Sequence, residues 1–251
     1  MTIALPARAK LNLDLEVVKS RDDGYHDIRT TMQAIELHDL IEITPANETS
    51  LTTSGMDVVN NADNSVLRAH RAVEQATQRN LPTRFHLHKR IPPGSGLGGA
   101  SSDAATTLHG LVATYGLDID LAAIAQALGA DVPFFLHGGK ARAEGKGERL
   151  TPLPTEPAWF AIAWPGIELS TAEVYRAWDE VHGAAPNQLR HAAEHVEPRM
   201  HEFAVRLGPH WQMTGSGSAF FARCDTRQRA HDLTAELDDW TAVTYAVGPW
   251  S

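Results

Sequence analysis

Residues 91–103 read Ile-Pro-Pro-Gly-Ser-Gly-Leu-Gly-Gly-Ala-Ser-Ser-Asp, with four glycines in the six positions from Gly94 to Gly99. Glycine enters backbone conformations closed to other residues, so a run of this kind lets several backbone N–H groups converge on one point. It feeds directly into a helical pattern, whose N-terminus adds unpaired N–H groups and a partial positive charge of about half a unit. Ser101 and Ser102 add hydroxyls, one of which could reach a magnesium ion. A polyphosphate is the ligand that suits this combination, with Pro93, Gly94, Ser95, Gly96, Leu97, Gly98, Gly99, Ala100, Ser101 and Ser102 around it. Other phosphate motifs fit less well. Gly94-x-Gly96-x-x-Gly99 spells a dinucleotide fingerprint, but the acidic residue expected after a second parallel strand is missing from a convincing place. No Gly-Lys-Ser/Thr follows, which sets aside the P-loop. A flexible connector would not need to abut a well-formed helix.

A second group of residues could recognise a base. Tyr25 and His26 stand just past an Arg21–Gly24 turn. An aromatic ring can stack on a base and an imidazole can hydrogen-bond to its edge, although Tyr25 also fits a packed turn aromatic. Gly215-Ser216-Gly217-Ser218 is a second tight turn, either a source of backbone donors or a plain hairpin. On residue type alone, Lys10 reads equally as a solvated strand-edge lysine, and Asp131 as the cap of a short helix with Pro133 in its first turn. The 13 histidines invite metal readings. His191-Ala192-Ala193-Glu194-His195 matches the H-x-x-E-H pattern of zinc peptidases. A zinc hydrolase needs a third ligand, and nothing around Glu236 resembles one. His86 and His88 fit an ordinary polar strand face.

These residues need elements to carry them. Lys10–Val18 alternates, with Leu11, Leu13, Leu15 and Val17 on one face and Lys10, Asn12, Asp14 and Glu16 on the other, which predicts a half-buried strand. Further strands are expected at 28–35, 40–44, 85–88, 159–164, 219–223 and 242–247. A helix follows Asn64-Ser65, with Val66, Ala69, Val73 and Ala76 on one face. The clearest helix runs from about Ser101 to Tyr115, with an apolar stripe of Ala104, Ala105, Leu108, Leu111, Val112 and Tyr115 and with Gly116 as its stop. Asp118 or Asp120 caps another helix, which Gly129 ends. Three prolines between Pro152 and Pro157 mark a boundary, giving expected domains of 1–150 and 158–251.

The 251 residues are enough to bury a substantial core. A net charge of −9 argues against nucleic acid or an anionic membrane as partner. Cys224 is the only cysteine, which rules out an internal disulfide and a cysteine-rich zinc site. No secretory apolar segment precedes Lys10, and no apolar run approaches the ~18 residues of a membrane span. The expectation is a cytoplasmic enzyme, a monomer or homodimer, acting on small molecules.

The glycine run from Pro92 to Ser102 resembles the central ATP-binding motif of the GHMP kinase superfamily. Pro6-Ala7-Arg8-Ala9-Lys10-Leu11-Asn12-Leu13 resembles its first motif and Met213-Thr214-Gly215-Ser216-Gly217-Ser218-Ala219 its third. Asp23-Gly24-Tyr25-His26 and Leu128-Gly129-Ala130-Asp131-Val132-Pro133-Phe134-Phe135 are similar to the branch that phosphorylates the 2-hydroxyl of a cytidine-diphosphate-linked methylerythritol, rather than homoserine or mevalonate. The resemblance implies an α+β, two-domain GHMP kinase fold, with a ribosomal protein S5 domain 2-like N-terminal domain and a ferredoxin-like C-terminal domain. It also implies ATP as co-substrate with Mg2+. Asp131 then takes the hydroxyl proton and Lys10 is its cationic partner, which is what phosphoryl transfer asks of a base and a charge. Tyr25 and His26 receive the cytosine and Tyr175 closes the sandwich, while Asn12, Thr171, Gly215, Ser216 and Gly217 bind substrate.

Overall fold

The computed structural model describes residues 1–250. The alternation around Lys10–Val18 extends both ways into β1 (Ile3–Ser20), which pairs with β2 (His26–Pro45). The sequence pattern places two strands, 28–35 and 40–44, within β2. The structure keeps one strand. Asp39 is fully buried there, and its Oδ1 accepts from the backbone N–H groups of Arg90 and Ile91 at 2.6 and 2.8 Å. A paired polar group need not turn the chain.

The chain continues as β3 (Ser50–Gly55), α1 (Ser65–Thr77), β4 (Thr83–Lys89), α2 (Gly99–Tyr115), α3 (Leu121–Leu128), α4 (Val132–His137), β5 (Lys140–Gly145) and β6 (Arg149–Leu153). It then forms β7 (Trp159–Trp164), α5 (Thr171–Val181), α6 (Arg190–Val196), α7 (Arg199–Leu207), β8 (Gln212–Met213), β9 (Phe220–Cys224), α8 (Arg227–Ala235) and β10 (Trp240–Tyr245). Asn64 caps α1 and Asp120 caps α3, each through a side-chain oxygen that accepts from the second N–H beyond it. Helix α2 starts two residues before the expected Ser101, since its stop and its apolar stripe are legible but a glycine start is not.

These elements form two compact units that are not consecutive stretches of chain. Unit 1 takes Met1–Ala9, His38–Pro93 and Gly98–His137; unit 2 takes Lys10–Leu37, Gly94–Leu97 and Gly138 onward. In unit 1, β3 runs parallel to β4, and β4 is antiparallel to the second half of β2, with Leu40 opposite His88. Ile41, Ile43, Phe85 and Leu87 share the buried face with Val66, Ala69 and Val73 of α1 and Ala105, Leu108 and Leu111 of α2. Helix α2 lies so close to β2 that a Cβ at Gly110 would stand 2.1 Å from Ile43 Cδ1. Gly110→Ala is therefore expected to lower the melting temperature by several degrees. Overpacking costs about 1–3 kcal/mol against a gain of about 1 in helix propensity. A melt unchanged or raised would show that the interface has slack.

In unit 2 the first half of β2 pairs with β5, and β5 with β6, where Pro152 faces Ala141 on an outermost strand. Proline is tolerated there because no ladder bond is lost. The second sheet has the order β10-β7-β9-β8 with each pair antiparallel. Numbered along the chain from β7, that order is 4-1-3-2, the split β-α-β arrangement of ferredoxin-like folds. Its core joins Ala161, Ala163, Val174, Leu189, Met200, Phe203, Trp211 and Phe220 with Leu15, Val17 and Ile28. No helix among the described residues is long and apolar enough to cross a membrane.

Candidate active site

Within unit 2, three segments far apart in sequence meet at Lys10. Its side chain is 3% exposed, on the strand face expected to be polar, and Nζ donates to Gly96 O at 2.7 Å and Asn12 Oδ1 at 2.5 Å. Its backbone N–H donates to Leu97 O at 2.9 Å. Asn12 is equally buried; its Nδ2 donates to Thr30 Oγ1 at 2.8 Å, so both ends of the carboxamide are engaged. The third segment closes from the other side. Asn12 N donates to Thr214 Oγ1 at 2.9 Å, and a Cβ at Gly215 would stand 3.1 Å from Asn12 Oδ1 and 3.2 Å from Lys10 Nζ. Asn187, absent from the sequence reading, holds that turn by donating from Nδ2 to Met213 O and Gly215 O at 2.8 and 2.9 Å. Thr171 Oγ1 lies 2.9 Å from Ser216 Oγ. Gly217 packs against Met213 and Leu169.

The glycine loop has the backbone that its composition requires, with positive φ at Gly94, Gly96 and Gly98 (+60°, +77°, +77°). Ser95 is buried, and its Oγ accepts from Leu97 N at 3.4 Å. In unit 1 the loop enters α2 with Gly98 at the cap position, where no side chain covers the first-turn amides. Those donors suit an anionic ligand. Ala100 is exposed, Ser101 half-buried and Ser102 buried.

A charged cluster that the sequence reading did not single out lies under this helix start. Lys89 Nζ donates to Asp39 Oδ2 and, at 2.8 Å, to Asp103 Oδ2, and all three side chains are almost fully buried. Burial pushes the Asp103 carboxyl up to about 7, against the pull of the Lys89 ammonium. Burial also works against the charge on Lys89, but the Asp103 and Asp39 carboxylates more than offset it and hold its pKa above the usual lysine value. The period of the strands could have found this cluster. Lys89 has the parity of Phe85 and Leu87, and Asp39 that of Ile41 and Ile43, so both belong to core-facing positions. Asp131, also in unit 1, is half-buried and immediately precedes α4, whose Val132, Pro133, Phe134 and Phe135 are buried.

The residues expected to receive a base, Tyr25, His26 and Tyr175, all belong to unit 2. His26 is buried; its ring stacks on Tyr175 (centroids 5.0 Å, planes 29° apart) and meets Trp178 edge-on at 5.8 Å. Its Nε2 lies 2.8 Å from Asp179 Oδ1, which also accepts from Ser20 Oγ at 2.6 Å. Hydrogen bonding from Ser20, then from His26, holds the Asp179 carboxyl below its usual range. An ionised Asp179 needs Nε2–H as its donor, and in the neutral form of the imidazole that leaves Nδ1 to accept. Tyr25 is 56% exposed, with Lys146 Nζ 3.8 Å above its ring and 2.9 Å from Asp23 Oδ2. Asp179, Ser20 and Lys146 carried no sequence signal, because their partners are distant in the chain. The H-x-x-E-H segment falls on α6, where Glu194 pairs with Arg190 at 2.8 Å and with His201 at 3.3 Å. Among the described residues no three His, Cys, Asp or Glu side chains gather as a metal site.

Residues 64–139 match the family model described as GHMP kinases N terminal domain, the span that includes the glycine loop and α2. The chain is 36% identical over 94% of its length to a 4-diphosphocytidyl-2-C-methyl-D-erythritol kinase from Shewanella piezotolerans, covering 90% of that protein. It is 37% identical to the same-named enzyme of Alkalilimnicola ehrlichii, over 90% of this chain and 84% of the other. A crystal structure of 4-(cytidine 5'-diphospho)-2C-methyl-D-erythritol kinase superposes with a TM-score of 0.83 at 33% identity, covering 98% of this chain and 100% of that one. The chain belongs to the 4-diphosphocytidyl-2-C-methyl-D-erythritol kinase family of GHMP kinases.

Proposed function

We propose that the chain transfers the γ-phosphate of ATP to the 2-hydroxyl of 4-diphosphocytidyl-2-C-methyl-D-erythritol, in the methylerythritol phosphate route to isoprenoid precursors. The observation that carries this reading is the meeting of residues 10–12, 94–97 and 214–217 at the Lys10 ammonium. A phosphate-binding loop and a fixed cation are what phosphoryl transfer asks of a protein. ATP lies along Pro93–Ser102, its phosphates on the loop amides and the uncapped start of α2. Mg2+ would accompany the nucleotide, and Ser101 would offer it the more accessible hydroxyl, since Ser102 is buried. Lys10 supplies charge to the moving phosphoryl group, and Asp131 takes the proton of the acceptor hydroxyl. Asn12 keeps the ammonium aimed, and Gly215, Ser216, Gly217 and Thr171 line the substrate end.

The acceptor is read from the base-recognition group. An imidazole whose Nδ1 is an acceptor suits the exocyclic amine of cytosine, while Tyr25 and Tyr175 offer ring faces for stacking. Homoserine and mevalonate carry nothing for these groups to hold. The test is ATP consumption measured with the cytidyl substrate, homoserine, mevalonate and galactose. Turnover is expected with the first alone. Robust turnover with another acceptor and none with the cytidyl compound would overturn the assignment. In the same assay Tyr175→Ala is expected to raise KM for the cytidyl substrate roughly tenfold, the loss of one stacking face, without changing KM for ATP. The enzyme is placed in the cytoplasm, in keeping with a single, buried Cys224.

A further inference from the structure

The Asp39–Lys89–Asp103 cluster joins the two ends of the glycine loop. Lys89 is the last residue of β4, and Asp39 Oδ1 takes the N–H groups of Arg90 and Ile91, the residues that lead into Pro92-Pro93-Gly94. Asp103 lies one turn inside α2, the helix that leaves the loop. The ammonium between them is close under the helix start, since a Cβ at Gly99 would stand 2.8 Å from Lys89 Nζ and 3.1 Å from Ile91 Cγ2.

We propose that Lys89 is a positioning residue for the nucleotide: clamped between Asp39 and Asp103, it fixes the distance between the strand entering the glycine loop and the helix leaving it, and so aims the uncapped amides of α2 at the phosphates. A purely stabilising role accounts poorly for this arrangement. Replacing a buried ion pair by apolar residues of similar size is often neutral or stabilising for a fold. Asp103 is costly to keep: it is 2% exposed, its carboxyl is pushed up to about 7 by burial, and its Oδ1 has no hydrogen-bond partner among the described residues. The charged groups that face Asp103 are Lys89 of β4 and Asp39 of β2. What the cluster supplies and an apolar plug would not is a directional tie between β2, β4 and α2. Misplacement of a binding group by about 1 Å can cost on the order of a hundredfold in rate.

This inference rests on ATP occupying the glycine loop, so binding of Mg2+–ATP is measured directly by calorimetry beside steady-state kinetics. In Lys89→Met/Asp103→Leu the tie is cut without leaving an unpaired lysine. Its Kd for Mg2+–ATP is expected to rise roughly tenfold or more, with KM for the cytidyl substrate within about threefold of wild type; the melting temperature is expected to fall, because Asp39 keeps a buried carboxylate that has lost its cation. Asp103→Asn keeps an oxygen facing Lys89 and is expected to bind Mg2+–ATP within about threefold of wild type. A folded double variant with wild-type ATP affinity would overturn the proposal. So would a tenfold loss in Asp103→Asn, whether or not the double variant folds, because the tie survives there. Wild-type protein that does not bind Mg2+–ATP would instead reject the nucleotide reading.

Discussion

Lys10→Met is expected to lower kcat roughly 10²- to 10³-fold, the range for removing one fixed group that stabilises developing charge. The loss should appear in kcat rather than in KM for the cytidyl substrate. Methionine keeps the length and apolar stem of lysine, so packing beside Leu97 changes little. Gly96 O and Asn12 Oδ1 lose a donor at 2.7 and 2.5 Å in a buried place, and some stability goes with them. Lys10→Arg should not rescue, because a planar fork does not reproduce the compact point charge that donates to Gly96 O and Asn12 Oδ1. Asp131→Asn tests the partner role. It should lower kcat by roughly 10²- to 10⁴-fold, as loss of a general base does, with ATP affinity retained. Single-turnover measurements separate the chemical step from binding. Near-normal rates in both variants would remove these residues from the transfer centre.

Gly96→Ala is the second large effect, and it arises from backbone rather than charge. The residue sits at φ +77°, where a non-glycine residue is strained by about 1–3 kcal/mol. A Cβ there would stand 2.5 Å from Thr214 O and 2.8 Å from Gly217 O. Neither carbonyl can rotate away as a side chain would, so the loop or the third-motif turn must shift, and Lys10 is bonded to Gly96 O. Thermal denaturation should show a drop of several degrees, on the usual scaling of about 2–4 °C per kcal/mol at this size. The activity remaining at a temperature where the protein is folded should show a raised KM for ATP. A variant with wild-type stability and kinetics would mean that the contact between the glycine loop and the 214–217 turn is loose.

Much of the candidate site was legible because its motifs are local. A glycine run before an amphipathic helix, a strict alternation around Lys10 and a cap at Asn64 or Asp120 are each readable within a dozen residues, and each is where the sequence places it. What was not legible is the work done across distance. The motif around Asn12 marks it for substrate but does not show that Thr30 and Lys10 engage its carboxamide. His26 was read without Asp179, its partner 153 positions along the chain. The continuity of β2 through Glu36, His38 and Asp39 is a further case, because an unpaired carboxylate would not stay in a strand core. Lys89 and two backbone amides pair Asp39 there; its parity with Ile41 and Ile43 marks a core-facing position but does not name those partners.

The interleaving of the two units limits how this chain can be divided or recombined. A protease cut or gene fusion placed in the proline-rich stretch after Arg149 would look natural on paper. It would separate Leu15, Val17 and Ile28 from the Phe203, Trp211 and Phe220 core that they complete. The N-terminal fragment would keep the whole of unit 1, but the interior of unit 2 would be divided between the two pieces. Modular exchange of unit 2 between relatives is therefore closed to a single crossover, because it is drawn from three separate stretches of chain.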